Sequence, residues 1–378
     1  MKRLIALTAA VLLLAGCVPH AELDRIGIAE AVGVDCNDGV YTVTVQFFNT
    51  DSSGGVTAID SSAPNATVAR GTGKTVEEAL RELSYTSGNS ILFGSAAVIV
   101  FGEGALSSLG DSLALAASHY SGNRRAYICA ARGSASDIMD VKFSEGNASV
   151  EKLEELLENA QQLGLCRPVR MYEAMEKLCG PTGSVALPLL TVTDSGTDTT
   201  EDGKGVKIAG GALCTGGKYA GELSVREMSG AQILDPTSER ACELVLPYRG
   251  YDTRVMLYGI GAEIKPSVSG DKPELDVSVS ADGKIVSTAI PSPYEAREEL
   301  ERLCERELSE RAEALITKTM TGHGADVTGL EYVIRSVSPG LWETVEQDFR
   351  AYLREAEIRV SAQVRMERFG ILGSPTGG

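Results

Sequence analysis

The chain has 378 residues and is 43% hydrophobic, so it is long enough for two or three domains with real cores and is not a disordered chain. Its formal net charge is −17, a poor match for nucleic acid, whose binding needs basic clusters. After residue 17, no apolar run approaches the length of a membrane-spanning helix.

The chain opens with MKRLIALTAAVLLLAGC. Lys2 and Arg3 form a short positive region, an apolar stretch follows, and Leu14-Ala15-Gly16 precedes Cys17. This is a secretory signal pattern, too short to remain as a spanning helix. The Leu-Ala-Gly-Cys tetrapeptide resembles a bacterial lipobox. Residues 1–16 are therefore expected to be a lipoprotein signal peptide, with Cys17 the lipidation site and residues 17–22 a lipidated tether. Two acyl chains suffice for stable anchoring. Loss of Lys2 and Arg3 leaves 33 basic against 52 acidic residues, a balance of −19. So acidic a body is repelled by anionic headgroups, and further docking at the membrane should use a protein partner.

A β-hairpin is predicted first, with Ile26 to Asp35 leading into the turn Asn37-Asp38-Gly39 and residues 41–47 alternating behind it. Residues 51–65, rich in Ser, Gly and Ala, read as a mobile loop. Thr75 and Glu78 fit a capping box for a helix carrying Val76, Leu80 and Leu83 on one face. Strands at 96–101 and 125–131 then alternate with helices at 104–119 and 134–141. Further helices are expected at 150–163 and 168–178, then a strand at 185–192. The alternation indicates mixed α and β structure.

Residues 193–205, TDSGTDTTEDGKG, contain no apolar residue and are read as a linker. The expected N-terminal α+β region is thus 23–193, divisible into two subdomains, with the linker at 194–205. A C-terminal α+β domain, 206–372, begins with a strand-turn-strand at 206–223 and a helix at 224–234. Strands at 242–246, 255–265 and 275–285 follow. Ser292-Pro293 opens the longest helix, 293–321, with an apolar stripe from Leu300 to Ile316. Gly322-His323-Gly324 should stop it. A helix at 326–336, another at 345–352, a half-buried strand at 356–366 and a flexible tail at 373–378 complete the chain. The fold class is multi-domain α+β with mainly antiparallel sheets.

The residues that invite a catalytic or ligand reading have simpler structural ones. His323, between two glycines, has no nucleophile or carboxylate partner that sequence can assign, and a helix end explains the glycines. Asp35, Asp38, Asp51 and Asp60 lack the spacing and terminal Glu of a calcium loop. Gly71-Thr72-Gly73-Lys74-Thr75 lacks the full phosphate-loop spacing. The acidic run from Glu151 to Glu158 reads as a solvated helix face, and Trp342 as a core plug. The seven cysteines after Cys17 are scattered and form no C-x-x-C, which argues against a disulfide framework or zinc site; one incidental disulfide stays open. No catalytic, cofactor-binding or metal site is expected, and the chain is not read as an enzyme.

Taken in order, these features resemble the C-subunit lipoproteins of spore germinant receptors, the Ger(x)C or GerAC family. The lipobox at Cys17 is followed by Glu22-Leu23-Asp24-Arg25-Ile26-Gly27-Ile28, then Gly33-Val34-Asp35 and the 41–47 strand. Phe93-Gly94, Gly102-Glu103 and Asn123-Arg124-Arg125 are similar too. The strongest likeness is C-terminal: a long charged helix into Gly324-Ala325-Asp326-Val327-Thr328-Gly329-Leu330, then Pro339-Gly340-Leu341-Trp342, then Arg368-Phe369-Gly370-Ile371-Leu372. The chain departs in having Val18-Pro19-His20 where the family commonly carries an aromatic residue, and in its acidity. The resemblance implies a three-domain lipoprotein with no catalytic site, on the outer leaflet of the spore inner membrane. It implies membrane-spanning A and B subunits as partners in the response to nutrient germinants. A solute-binding lipoprotein of an ABC-type importer is the alternative; it would require two similar lobes around a cleft.

Overall fold

A computed structural model describes residues 26–48, 66–87, 90–118, 122–141, 149–194, 203–235, 241–269, 272–287 and 296–369. The signal sequence, Cys17, the tether, the 51–65 loop, Ser292-Pro293 and the C-terminal tail lie outside them.

The first sheet has ten strands. Its main path runs β10 (Lys218–Leu223), β9 (Lys204–Thr215), β8 (Val185–Asp194), β6 (Tyr127–Ala131), β5 (Val98–Gly102), β1 (Ile26–Asn37), β2 (Val40–Phe48) and β3 (Ala66–Gly73). Short β4 (Ser90–Leu92) joins β1, and β7 (Val169–Arg170) joins β6. The central strands β1, β5, β6 and β8 are parallel; β2–β3 and β9–β10 flank them antiparallel. Parallel neighbours need crossovers, and helices supply them. Helices α1 (Val76–Ser87), α2 (Leu109–Ser118) and α5 (Met171–Cys179) cover one face; α3 (Ala135–Met139) and α4 (Ser149–Gln162) cover the other. Strand β5 shows why its sequence is uninterruptedly apolar. Ile99 and Phe101 enter the first core, while Val98 and Val100 enter the second.

Local signals hold. Asp38 and Gly39 take left-handed φ angles of 49° and 76°, closing the expected two-residue hairpin. Thr75 Oγ1 accepts the Glu78 N–H at 3.1 Å, and the Glu78 carboxylate reaches back to the Lys74 N–H at 2.8 Å. Gly71 and Gly73 belong to strand packing. A Cβ on Gly71 would sit 2.2 Å from the Ala79 carbonyl, so glycine is what lets β3 lie against α1.

The expected linker at 194–205 falls between two strands of one sheet. Strands β8 and β9 pair antiparallel from Val185↔Cys214 to Asp194↔Lys204, so the first sheet continues on both sides of it. A polar, turn-rich run looks the same in sequence whether it joins two domains or two neighbouring strands. The chain passes to the second sheet later, after α6 (Val225–Leu234).

The second sheet has four strands in the order β11 (Cys242–Tyr248), β12 (Tyr251–Ser269), β13 (Lys272–Ser287) and β14 (Glu357–Phe369). The first three form a meander, and β14 returns parallel to β13. One face packs on α7 (Arg297–Ile316) through Leu300, Cys304, Leu308, Ala312, Leu315 and Ile316. The other face is open, and burial alternates along the strands accordingly. The fold class is multi-domain α+β as expected, with antiparallel pairings in the majority and a parallel centre in the large sheet. The two sheets differ in size and strand order, unlike the paired lobes of a solute binder.

The helix begun by α7 ends within Gly322-His323-Gly324, as expected. It passes through a π-helical turn, Thr317–Thr321, and the left-handed residue is Gly324, φ 60°. Gly324 and Ala325 donate back to Met320 and Thr319 at 2.7 and 2.9 Å. The helix expected from 326 begins only at Leu330, as α8 (Leu330–Val337), because Asp326 organises the turn before it. Helices α9 (Pro339–Val345) and α10 (Phe349–Glu355) complete the cover.

Candidate functional site: the junction between the sheets

A buried polar network lies where the large sheet meets the C-terminal helices. Asp326 is its hub. Its carboxylate accepts the N–H groups of Thr328, Gly329 and Glu331 at 3.1, 2.9 and 2.9 Å, and the Thr328 hydroxyl at 3.1 Å. Gly329, at φ 84°, makes the turn that lets these three donors converge. Such a turn presents its outer backbone to a neighbour, and that neighbour is the N-terminal unit. Asp326 N–H donates to Thr182 Oγ1 at 3.2 Å, and Lys177 Nζ, at the end of α5, donates to the Val327 carbonyl at 2.6 Å.

Arg350 of α10 ties the same corner from the other side. It donates to Thr215 Oγ1 at 3.0 Å and to the Thr182 carbonyl. Tyr332 donates to Glu176 Oε1 at 3.1 Å. Nearby, Arg167 pairs with Glu173 at 2.8 Å and with Asp235. Burial lowers the Lys177 ammonium below its ordinary range, and the Arg167 charge lowers it further; Asp235, Asp326 and Glu173 oppose the shift. Burial also raises the Glu331 carboxyl, with the Asp326 charge adding to it. Hydrogen bonds to charged groups are worth about 1.5–3 kcal/mol each, so this corner adds to the shared apolar core in joining the two sheets.

The residues singled out in the sequence are placed as follows. Asp35 accepts the N–H groups of Ala135 and Ser136 at 2.6 and 3.0 Å and the Ser134 hydroxyl at 2.9 Å, so it caps α3 from across the sheet. Asp38 is in the hairpin turn; Asp51 and Asp60 lie outside the described residues. The Glu82 carboxylate accepts both the backbone N–H and the hydroxyl of Thr72, filling the loop that resembled a phosphate cradle. His323 contributes a carbonyl that accepts from Arg354 at 3.4 Å. Trp342 is buried, edge-on to Phe349 at 5.3 Å, with the Arg335 guanidinium 4.4 Å above its ring.

The Glu151 to Glu158 run is not wholly solvated. Glu154 is half-buried and its carboxyl is raised by burial and by Glu158. Glu30 of β1 lies beneath this helix with Oε2 buried and unbonded, and burial and Glu151 push its carboxyl up to about 7. All seven cysteines of the body are free thiols. Burial raises Cys166, Cys214 and Cys304 to about 12, leaving them unreactive at neutral pH. Among the described residues no group of three metal-ligating side chains converges, and no helix is long and apolar enough to cross a membrane.

Of the junction, the sequence exposed Asp326 and its glycines through the C-terminal motif. Lys177, Thr182 and Arg350 carry no local signature, because their roles depend on contacts between residues more than a hundred positions apart.

Fold and junction together define an α+β body of two unlike sheets fastened by a buried polar corner. Its family is shown by two family models that together span most of the chain. The model of the spore germination protein N-terminal domain matches residues 19–192, and that of the "Spore germination B3/ GerAC like, C-terminal" domain matches residues 209–370. The chain therefore belongs to the GerAC-like family of spore germination proteins, the germinant-receptor C subunits that its sequence resembles. The two models divide at the β8–β9 hairpin, although the sheet runs on through it. No curated protein matches the chain. Among solved structures, the crystal structure of the GerBC protein is similar in fold, with a TM-score of 0.56 at 17% identity over 89% of this chain and 97% of that one.

Proposed function

We propose that this chain is the lipid-anchored, non-catalytic C subunit of a spore nutrient germinant receptor. It is held through Cys17 at the outer leaflet of the spore inner membrane and works with membrane-spanning A and B subunits to trigger germination. The observation that carries this reading is the succession of both family domains behind the Leu14-Ala15-Gly16-Cys17 lipobox. The acidic body supports it, since a surface of this charge needs a lipid and protein partners to stay at an anionic membrane. In this role the buried junction ties the second sheet to the first.

The test is a crosslinked pull-down of the tagged protein from spore membranes. Two multi-span subunits should be recovered with it, and Cys17→Ala should release the body from the membrane fraction and slow nutrient-triggered germination while sporulation proceeds. Recovery of a permease and an ATPase instead would move the protein to the importer class.

A further inference from the structure

Strand β14 is the outer strand of the second sheet, and its free edge is sealed over only part of its length. The alternation of the strand turns the N–H and C=O groups of Ile358, Val360, Ala362, Val364 and Met366 away from β13. Two of these are covered by α7. Glu305 accepts the Val364 N–H at 3.1 Å, and Glu301 accepts the Met366 N–H at 2.8 Å. Among the described residues nothing pairs with the outward groups of Ile358, Val360 and Ala362, whose side chains are half-buried at the rim of the core. An edge of this kind is a template for another strand.

We propose that this stretch is a self-association surface, on which β14 of a second copy pairs antiparallel about a two-fold axis through Val360. The register follows from the residues. Centred on Val360, the pairing matches Ile358 with Ala362 of the second copy and Val360 with itself, so it uses all three free residues and neither of the covered ones. On the solvent face it sets Arg359 opposite Ser361 and Glu357 opposite Gln363, so no like charges meet. The neighbouring registers are worse. Centring on Arg359 or on Ala362 places arginine against arginine, and like charges directly opposite are destabilising. Centring on Ser361 calls on Val364, whose N–H Glu305 already holds. The interface is isologous, joins two four-stranded sheets into one of eight, and does not rest on the receptor reading.

The full-length protein in detergent micelles tests this, with the exposed Cys179 replaced by Ser. An Arg359→Cys chain and a Ser361→Cys chain are mixed and treated with a short thiol crosslinker. The crosslink between the two different chains should exceed either like-with-like crosslink several-fold. Val360→Pro in both chains, which removes a donor the fold itself does not use, should cut the mixed product and the sedimentation dimer constant at least tenfold. A chain that stays monomeric at all concentrations overturns the proposal and gives the edge to a different partner. Like-with-like products at Ser361 as strong as the mixed one overturn the register. Because the crosslinks are read in chains that keep Val360, the result stands even where the proline variant fails to fold.

Discussion

The two sheets solve the same problem in opposite ways. The large sheet is covered on both faces, and its central strands are buried along their whole length, as in Val98–Gly102 and Tyr127–Ala131. The small sheet is covered on one face, and β13 alternates between buried and exposed residues. Double cover demands helices on both sides and suits parallel strands with crossovers; single cover suits a meander and leaves a polar face to solvent. A substitution therefore has two bad directions in the first sheet and only one in the second.

The sharpest way to break this contrast is to substitute successive residues in each sheet. In β5, Phe101→Ala should cost about 3–5 kcal/mol as a large buried side chain is deleted, and Val100→Asp, on the other face, should be as damaging or worse. In β13, Val279→Asp should be severe, while Ser280→Asp should stay within about 0.5 kcal/mol. Urea denaturation of the four variants reads the pattern. Equal losses at Val279 and Ser280 would mean that the open face of the second sheet is covered after all.

The next effect joins the regions. Asp326→Ala leaves three backbone donors and a hydroxyl buried without their acceptor, at a cost of about 2–4 kcal/mol. Lys177→Met keeps the packing and removes a buried charge, so it should cost far less. Because the junction is the tie between the sheets, Asp326→Ala should also separate one unfolding transition into two, seen by differential scanning calorimetry. A single transition at lower temperature would mean that the shared apolar core, not Asp326, couples the two units.

The same contrast explains what was readable. Alternation made the C-terminal strands legible, since one covered face writes itself into the sequence with period two. The apolar runs of β5 and β6 showed strands but not their parallel order, which depends on crossovers distant in the chain. The 194–205 stretch marked where the two family models divide but not that β8 and β9 on either side of it pair, because hairpin connections and domain linkers share a composition. At the junction, Asp326 stood in a readable turn motif, whereas Arg350 is one arginine among many on a charged helix, and only the fold reveals the carbonyl of Thr182 beside it.

A smaller effect sharpens the N-terminal side through pH. Glu30 has a carboxyl raised to about 7 against an ordinary 4.5, so the folded chain holds a proton that the unfolded chain has released. Stability should therefore fall as pH rises from about 4.5 to 7 and level off above. Glu30→Gln removes this slope. It should stabilise the protein by about 1 kcal/mol at pH 8, allowing for the solvent that reaches a half-buried group, and by almost nothing at pH 5. Urea midpoints at the two pH values check it; a gain at pH 5 as large as at pH 8 would point to packing instead of charge.

The smallest effect belongs to the open face of the second sheet. Arg365 pairs with Asp282 at 3.0 Å, with the arginine side chain 66% exposed. Its Coulomb gain is made in water and is offset by the entropy of holding a long side chain still, so Arg365→Ser should cost under about 0.5 kcal/mol. The small loss should shrink further in 1 M salt, where the Debye length falls to about 3 Å. A loss several times larger and insensitive to salt would mean that the arginine stem packs on the sheet as part of its cover. The second sheet would then be closed on both faces like the first.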